Sequence, residues 1–330
     1  MSFSLGLPDP AFWTLPKGTT PLPPSPFQSE WLTNVFEVSM KVRTPLTIAV
    51  VYFSFVHFVN PYVIKRQLRK AGLKEKNEQK MDPKQLKKLK PAPFKIATQP
   101  WFKLFVLLHN IFLCVYSVWT FFAMLNSFGR TMEKIRNEIP SVSSLSTFVH
   151  AVCDAERGVF EHLPKEHNLT LIGWWFYMSK FYEVIDTIVI LLKGRPSSLL
   201  QSYHHAGAMM CMWSGIRFQS PPIWIFVVFN SFIHSLMYFY FTLACLRIRV
   251  PLIVKRVLTS MQITQFVVGG SLAIVHAFVW YVDPKDTSFR NCIPSSDQAL
   301  PLVINVLYLT PLTALFAAFY IESYIKRKTA

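Results

Sequence analysis

Two adjacent histidines stand inside the apolar stretch LLQSYHHAG, residues 199–207. In such a setting a neutral imidazole can attack a thioester to give a reactive acyl-imidazole, or move a proton as a general base. His204 and His205 have polar company at helical spacing. Gln201 lies one turn before them, on the same face. KFYEVIDT (180–187) carries Lys180, Glu183, Asp186 and Thr187 on one helical face, with Lys180 and Glu183 one turn apart and able to pair. NSFIHSLMYFYF (230–241) carries Asn230, His234, Tyr238 and Tyr240, and LTSMQITQ (258–265) carries Gln262 and Gln265 one turn apart. Turned toward lipid, these stripes would leave polar groups unsatisfied; turned toward each other, they form a buried polar chamber. Hydrogen bonding between helices is an equal alternative for the glutamines and Asn230. The histidines with the Lys/Glu/Asp set exceed what such bonding requires and predict a reaction site.

Metal binding is the other chemistry that histidines offer. The chain has nine histidines. His150, His162 and His167 fall in a long loop, and His57, His109 and His276 stand as singletons on other apolar stretches. His204, His205 and His234 are left, too few for a di-iron centre. One zinc with Glu183 activating its water is the metal reading that stays open. The preferred reading has no metal.

These residues must be positioned by membrane helices. The 330-residue chain is 52% hydrophobic and only 16% charged, with a positive mean hydropathy. About 20 apolar residues cross a bilayer. Seven segments qualify: 44–63, 102–126, 171–192, 198–216, 222–245, 252–280 and 300–324. The sixth is long enough to include a bend or an extension. Residues 1–40, rich in proline, read as an irregular arm that lacks the pattern of a cleaved signal peptide. The expected organisation is therefore a lumenal arm (1–40), a seven-helix domain (41–325) and a short tail (326–330).

The net charge of +16 lies largely in one loop, 65–95, between apolar segments, so it does not point to nucleic acid. Basic loops stay cytosolic. That rule puts 65–95, KGRP (193–196) and RIRVPLIVKR (247–256) in the cytosol. It puts the loops 127–170 and 281–292 and the N-terminus on the opposite side. The C-terminal KRKTA, with lysines third and fifth from the end, then reads as a dilysine retrieval signal for the endoplasmic reticulum. Cys153 and Cys292 fall in the two lumenal loops, where a disulfide is permitted, and are expected to pair. Asn168-Leu169-Thr170 is a glycosylation sequon on the same side, close against the third span.

In their order and spacing, KFYEVIDT, LLQSYHH, NSFIHSLMYFYF and LTSMQITQ resemble the KxxExxDT, HxxHH, HxxMYxYY and TxxQxxQ motifs of the ELO family of very-long-chain fatty acid elongases. One departure stands at Gln201, where the usual box begins with histidine; glutamine can hydrogen-bond but cannot titrate. The resemblance implies an all-α membrane protein in which six helices form an inverted barrel around a narrow acyl tunnel, with the first helix outside. It implies an acyltransferase that condenses acyl-CoA with malonyl-CoA to 3-ketoacyl-CoA, CO2 and CoA. No bound cofactor is implied, and the reductions fall to ketoacyl-CoA reductase, dehydratase and enoyl-CoA reductase partners.

On that basis His204 is the expected nucleophile and His205 its orienter or proton shuttle. His234 assists decarboxylation, and Lys180, Glu183 and Asp186 polarise the site. Gln201, Asn230, Tyr238 and Gln262 are candidate oxyanion donors. A direct condensation with histidine only as base uses the same residues. Lys193, Arg195, Arg247, Lys255 and Arg256, at cytosolic helix ends, are candidates for the CoA phosphates. Membrane lipid surrounds the chain, and a second copy is a candidate partner in a homodimer. The rival classes are a histidine-liganded metal-dependent lipid enzyme and a seven-span receptor or transporter.

Overall fold

A computed structural model describes residues 3–16, 18–73, 83–139, 143–160 and 168–326. The last four residues of the retrieval-like tail, residues 74–82 of the basic loop, and His162 and His167 lie outside the described residues.

The chain is mostly helical. Its helices are α1 (Glu30–Met40), α2 (Arg43–Lys70), α3 (Pro83–Lys88), α4 (Lys95–Thr98), α5 (Pro100–Glu138) and α6 (Ser144–Cys153). They continue as α7 (Leu169–Tyr182), α8 (Val184–Leu192), α9 (Leu199–Arg217), α10 (Ile223–Cys245), α11 (Leu252–Val275) and α12 (Ser296–Tyr320). Among the described residues, five are long and apolar enough to cross a membrane: α2, α5, α10, and α11 and α12 with the short turns that extend them. Two of the seven expected spans fall short of that standard for visible reasons. The third is broken at Glu183, which ends α7 and precedes α8. The fourth, α9, is diluted by Gln201, Ser202, His204 and His205.

The neighbours in space are clear. α5 packs on α10, α10 on α11, α11 on α12, α12 on α9, α9 on α7, and α7 on α5. α2 lies against α9 and α8. Side-chain caps fix where the helices start. Asn168 Oδ1 accepts from the Leu171 amide, Ser198 Oγ from Gln201, and Ser295 Oγ from Gln298. The sequon asparagine is thus a buried helix cap.

Gly194 ends α8 in the left-handed region at φ 72°, where a side chain would be strained. A Cβ there would also lie 2.1 Å from the Ala92 carbonyl carbon. The extended segment before α4 is held at this point, with the Ala92 amide donating to Gly194 O (3.1 Å) and Phe94 to Leu192 O (3.0 Å). Arg66 of α2 donates to the carbonyls of Ala92 and Pro93, both at 2.9 Å. The basic loop is therefore tied to the α8–α9 turn.

At the opposite end, the arm is more ordered than its prolines suggest. Phe3–Leu5 (β1) pairs antiparallel with Val279–Val282 (β2), which pairs with Phe289–Asn291 (β3). The predicted sixth span thus ends at α11 and turns into a strand. α1 closes on the bundle: Trp174 Nε1 donates to Ser39 Oγ (2.9 Å), Tyr177 OH to Ser39 O (3.0 Å) and Trp213 Nε1 to Met40 O (2.8 Å). Cys153 and Cys292 form the expected disulfide, joining α6 to the β3 end.

Candidate active site

The break at Glu183 decides how the polar stripes meet. Lys180 Nζ, in the last turn of α7, donates to Glu183 Oε1 (2.7 Å) and crosses to Asn230 Oδ1 on α10 (3.0 Å). Its ammonium also sits 4.0 Å above the Phe176 ring, a cation–π contact. Asn230 Nδ2 donates to His234 Nε2 (3.2 Å), one turn further along α10. That bond leaves the proton of His234 on Nδ1, which stands 3.8 Å from Glu183 Oε1. Both His234 Nδ1 and Glu183 Oε2 are buried without a hydrogen-bond partner among the described residues. Buried polar atoms without a partner are costly.

Asp186 departs from the sequence expectation. It belongs with Glu183 by spacing, but the break turns it to a second network. Its Oδ2 accepts from Tyr238 OH (2.7 Å) and its Oδ1 from His109 Nε2 on α5 (2.8 Å). His109 is therefore no singleton, and its Nδ1 lies 3.3 Å from Tyr182 OH. His57 and His276 are also engaged, by Ser202 and by Trp224 with Leu272 O. Thr187 meets Tyr52 of α2 at 2.8 Å.

On α9 the two histidines have different surroundings. Gln201 Nε2 donates to His205 Nε2 (2.8 Å), so the glutamine orients its neighbour. His204 instead faces α12, with its Nδ1 2.9 Å from Tyr308 OH. The ring of His204 is 5.4 Å from that of His205 and 6.3 Å from that of His234. His204, Lys180 and Asn230 line a narrow cavity of about 50 Å³, whose other walls include Tyr308, Phe229 and Gly269.

The donors proposed from sequence are largely committed. Tyr238 gives its proton to Asp186, Gln201 serves His205, and Gln262 reaches only Met237 Sδ, at 3.6 Å. Lys180 is the cationic donor on the cavity wall. Among the described residues, no three His, Cys, Asp or Glu side chains converge as metal ligands. Of the five phosphate candidates, Lys193, Arg195 and Arg247 are exposed. Lys255 lies 5.7 Å from the Tyr240 ring, and Arg256 Nε donates to Tyr320 OH (2.7 Å).

Sequence reasoning missed Tyr308 and His109. His109 carried a usable signal, because an ionisable residue in an apolar span is a functional candidate by default. Tyr308, one of three tyrosines in the apolar seventh segment, carried none.

Comparison with known proteins agrees with the motifs. The family profile "ELO: GNS1/SUR4 family" matches residues 38–330. "Fatty acid elongase 2" of Trypanosoma brucei brucei is 30% identical over 185 residues, 54% of this chain and 64% of that protein. "Fatty acid elongase sre1" of Dictyostelium discoideum is 30% identical over 195 residues, 56% and 68% of the two chains. "Very long chain fatty acid elongase 3" of Homo sapiens is 31% identical over 156 residues, 47% and 54% of the two chains. In each case a part of the relative lies outside the match. No solved structure matches. With the profile covering nearly the whole chain and the four motifs meeting in one buried site, the chain belongs to the ELO family.

Proposed function

We propose that this protein is a fatty acid elongase that condenses a long-chain acyl-CoA with malonyl-CoA. One observation carries the reading: His204 lines a narrow cavity together with Lys180 and Asn230, and His234 and Glu183 stand just behind them. Nε2 of His204 attacks the thioester carbonyl. The C–S bond breaks, CoA leaves as a thiolate, and the acyl group rests on an N-acylimidazolium. Malonyl-CoA then loses CO2, and the electrons of the broken C–C bond form an enolate. Its carbon attacks the acyl carbonyl and returns the imidazole, giving 3-ketoacyl-CoA. One solvent proton neutralises the CoA thiolate.

Lys180 stabilises the oxyanion of each addition, and Glu183 holds it in place. His234, oriented by Asn230, assists decarboxylation. His205, oriented by Gln201, shuttles protons. Asp186 fixes Tyr238 and His109. The reaction needs no metal and no nicotinamide. The CoA phosphates lie among Lys193, Arg195, Arg247, Lys255 and Arg256.

The α7–α8 segment and α9 complete seven spans in this reading. The cyclic order of neighbours from α5 through α10, α11, α12, α9 and α7 supports a six-helix barrel with α2 outside. The membrane is that of the endoplasmic reticulum, with the N-terminus lumenal and the C-terminus cytosolic. The reductase and dehydratase enzymes of the cycle are its partners, and a second copy of the chain completes a homodimer.

The full-length protein in lipid nanodiscs, given labelled malonyl-CoA, a panel of acyl-CoAs and excess chelator, is expected to form labelled 3-ketoacyl-CoA. No product from any acyl-CoA would overturn the assignment, and a product abolished by chelator would return it to the metal-dependent class.

A further inference from the structure

The nucleophile assigned above needs a lone pair on Nε2, and a neutral imidazole has two tautomers. Something must decide between them. Tyr308 of α12 is built around His204 in a way that decides it. Its hydroxyl lies 2.9 Å from His204 Nδ1 and 3.0 Å from the backbone oxygen of His204. A phenol has one proton, and the carbonyl oxygen can only accept. Both contacts are hydrogen bonds only if the phenol donates to the carbonyl and Nδ1–H donates to the phenol oxygen. The lone pair is then on Nε2.

The ring of Tyr308 is held from three sides. It stacks on Tyr203 with centroids 5.6 Å apart and planes 26° apart. Tyr203 OH donates to the Tyr308 backbone oxygen (3.3 Å). Its edge lies over Gly207, one turn beyond His204, where a Cβ would come within 2.2 Å of Tyr308 Cε2. Glycine in a helix interior is unfavourable against alanine. Its presence here lets the ring approach the α9 backbone closely enough to reach His204 O.

We propose that Tyr308 is the positioning residue that fixes the Nδ1–H tautomer of His204, with Gly207 as the gap that admits it. When the acyl group is on Nε2, Nδ1 keeps its proton and the imidazolium donates a stronger bond to the same phenol oxygen. The inference rests on the nucleophilic role of His204 and adds the element that sets its reactive form.

The test uses full-length protein in nanodiscs, with steady-state turnover and the rate of CoA release from acyl-CoA before malonyl-CoA is added. Y308F keeps the ring and removes the hydroxyl. It is expected to lower kcat about 10- to 100-fold, with KM for acyl-CoA within about twofold of wild type. CoA release should slow by the same factor, and any fall in melting temperature from the lost bonds should leave the protein folded at the assay temperature. Y203F keeps the stacked ring and removes only the bond to the Tyr308 backbone oxygen, leaving the Tyr308 hydroxyl and its two contacts in place, and is expected to keep kcat within about twofold of wild type.

If Y308F does not fold, 3,5-difluorotyrosine at position 308 keeps the shape but makes the oxygen a poorer acceptor, and kcat should again fall. Wild-type kcat in Y308F, or in the fluorinated protein, alongside an inactive H204A would overturn the tautomer assignment alone. Equal losses in Y203F and Y308F would also overturn it, because they would reduce Tyr308 to packing. Normal turnover by H204A would overturn the nucleophile and this inference together.

Discussion

His204 and His205 are adjacent in sequence, yet they serve different walls of the site. His205 takes its orientation from Gln201 on its own helix, whereas His204 lines the cavity beside Lys180. His204→Ala is therefore expected to abolish 3-ketoacyl-CoA formation in a protein that still folds, checked by turnover and melting temperature together. Asp186 is shared by Tyr238 and His109, so Asp186→Asn removes the charged acceptor on which both short bonds converge. Losing a bond to a charged acceptor costs about 1.5–3 kcal/mol. A fall in melting temperature should accompany a fall in kcat of about 10-fold or more. At this scale the sequence was informative where polar side chains stood in apolar helices: the motifs singled out Lys180, Glu183, Asn230 and His234, which lie in one network. Spacing on an unbroken helix would place Asp186 beside Glu183, whereas its carboxylate bonds Tyr238 and His109. The break between α7 and α8 turns it toward α5.

The elements position the site through two close approaches. Gly194 lets the basic loop lie on the end of α8, and Gly207 lets Tyr308 lie on α9. In a bare helix Gly→Ala would stabilise by about 0.8–1.0 kcal/mol. Gly207→Ala should do the reverse, lowering the melting temperature and kcat, because the new Cβ meets the Tyr308 ring. An unchanged melting temperature would show that the contact does not restrain the helices. The five long helices were legible from apolar length, although α2 runs on to Lys70 and α5 to Glu138, beyond the expected ends at 63 and 126. The segments 171–192 and 198–216 were expected as spans on the same ground, and the break at Glu183 and the polar residues of α9 leave both below that length and apolarity. The strand β1 was not legible. Its partner β2 lies some 275 residues away, and three residues that pair only at long range carry no periodic signal.

At the scale of the whole molecule, the end bearing the disulfide is a folded cap. Arg157 Nη1 pairs with Asp154 Oδ2 (2.8 Å), Arg290 with Asp283 (2.9 Å) and Lys285 with Glu156. Burial would raise the Asp154 carboxyl, but the nearby His150, the Arg157 side chain and the Glu156 amide outweigh it and hold it down to about 2. An unfolded aspartate titrates near 3.9. This cap therefore keeps the contribution of Asp154 above about pH 4 and loses it as pH falls toward 2. Thermal melts from pH 6 to 2.5 should show that loss, and Asp154→Asn should flatten it. The disulfide closes a separation of 139 residues. Cys153→Ser with Cys292→Ser is expected to lower stability by about 2–4 kcal/mol, read from melting under non-reducing conditions. In the proposed topology this cap is lumenal and the basic loop cytosolic. Glycosylation acceptors inserted into the 281–292 loop should be used and those inserted at 193–196 should not, and the reverse would invert the topology. The central claim is that His204 takes the acyl group inside the cavity before malonyl-CoA is engaged, and the release of CoA from acyl-CoA alone tests it most directly. A burst of one CoA per active site in the wild type and none in His204→Ala is the predicted result; an absent burst in an enzyme that turns over normally once malonyl-CoA is added would contradict it.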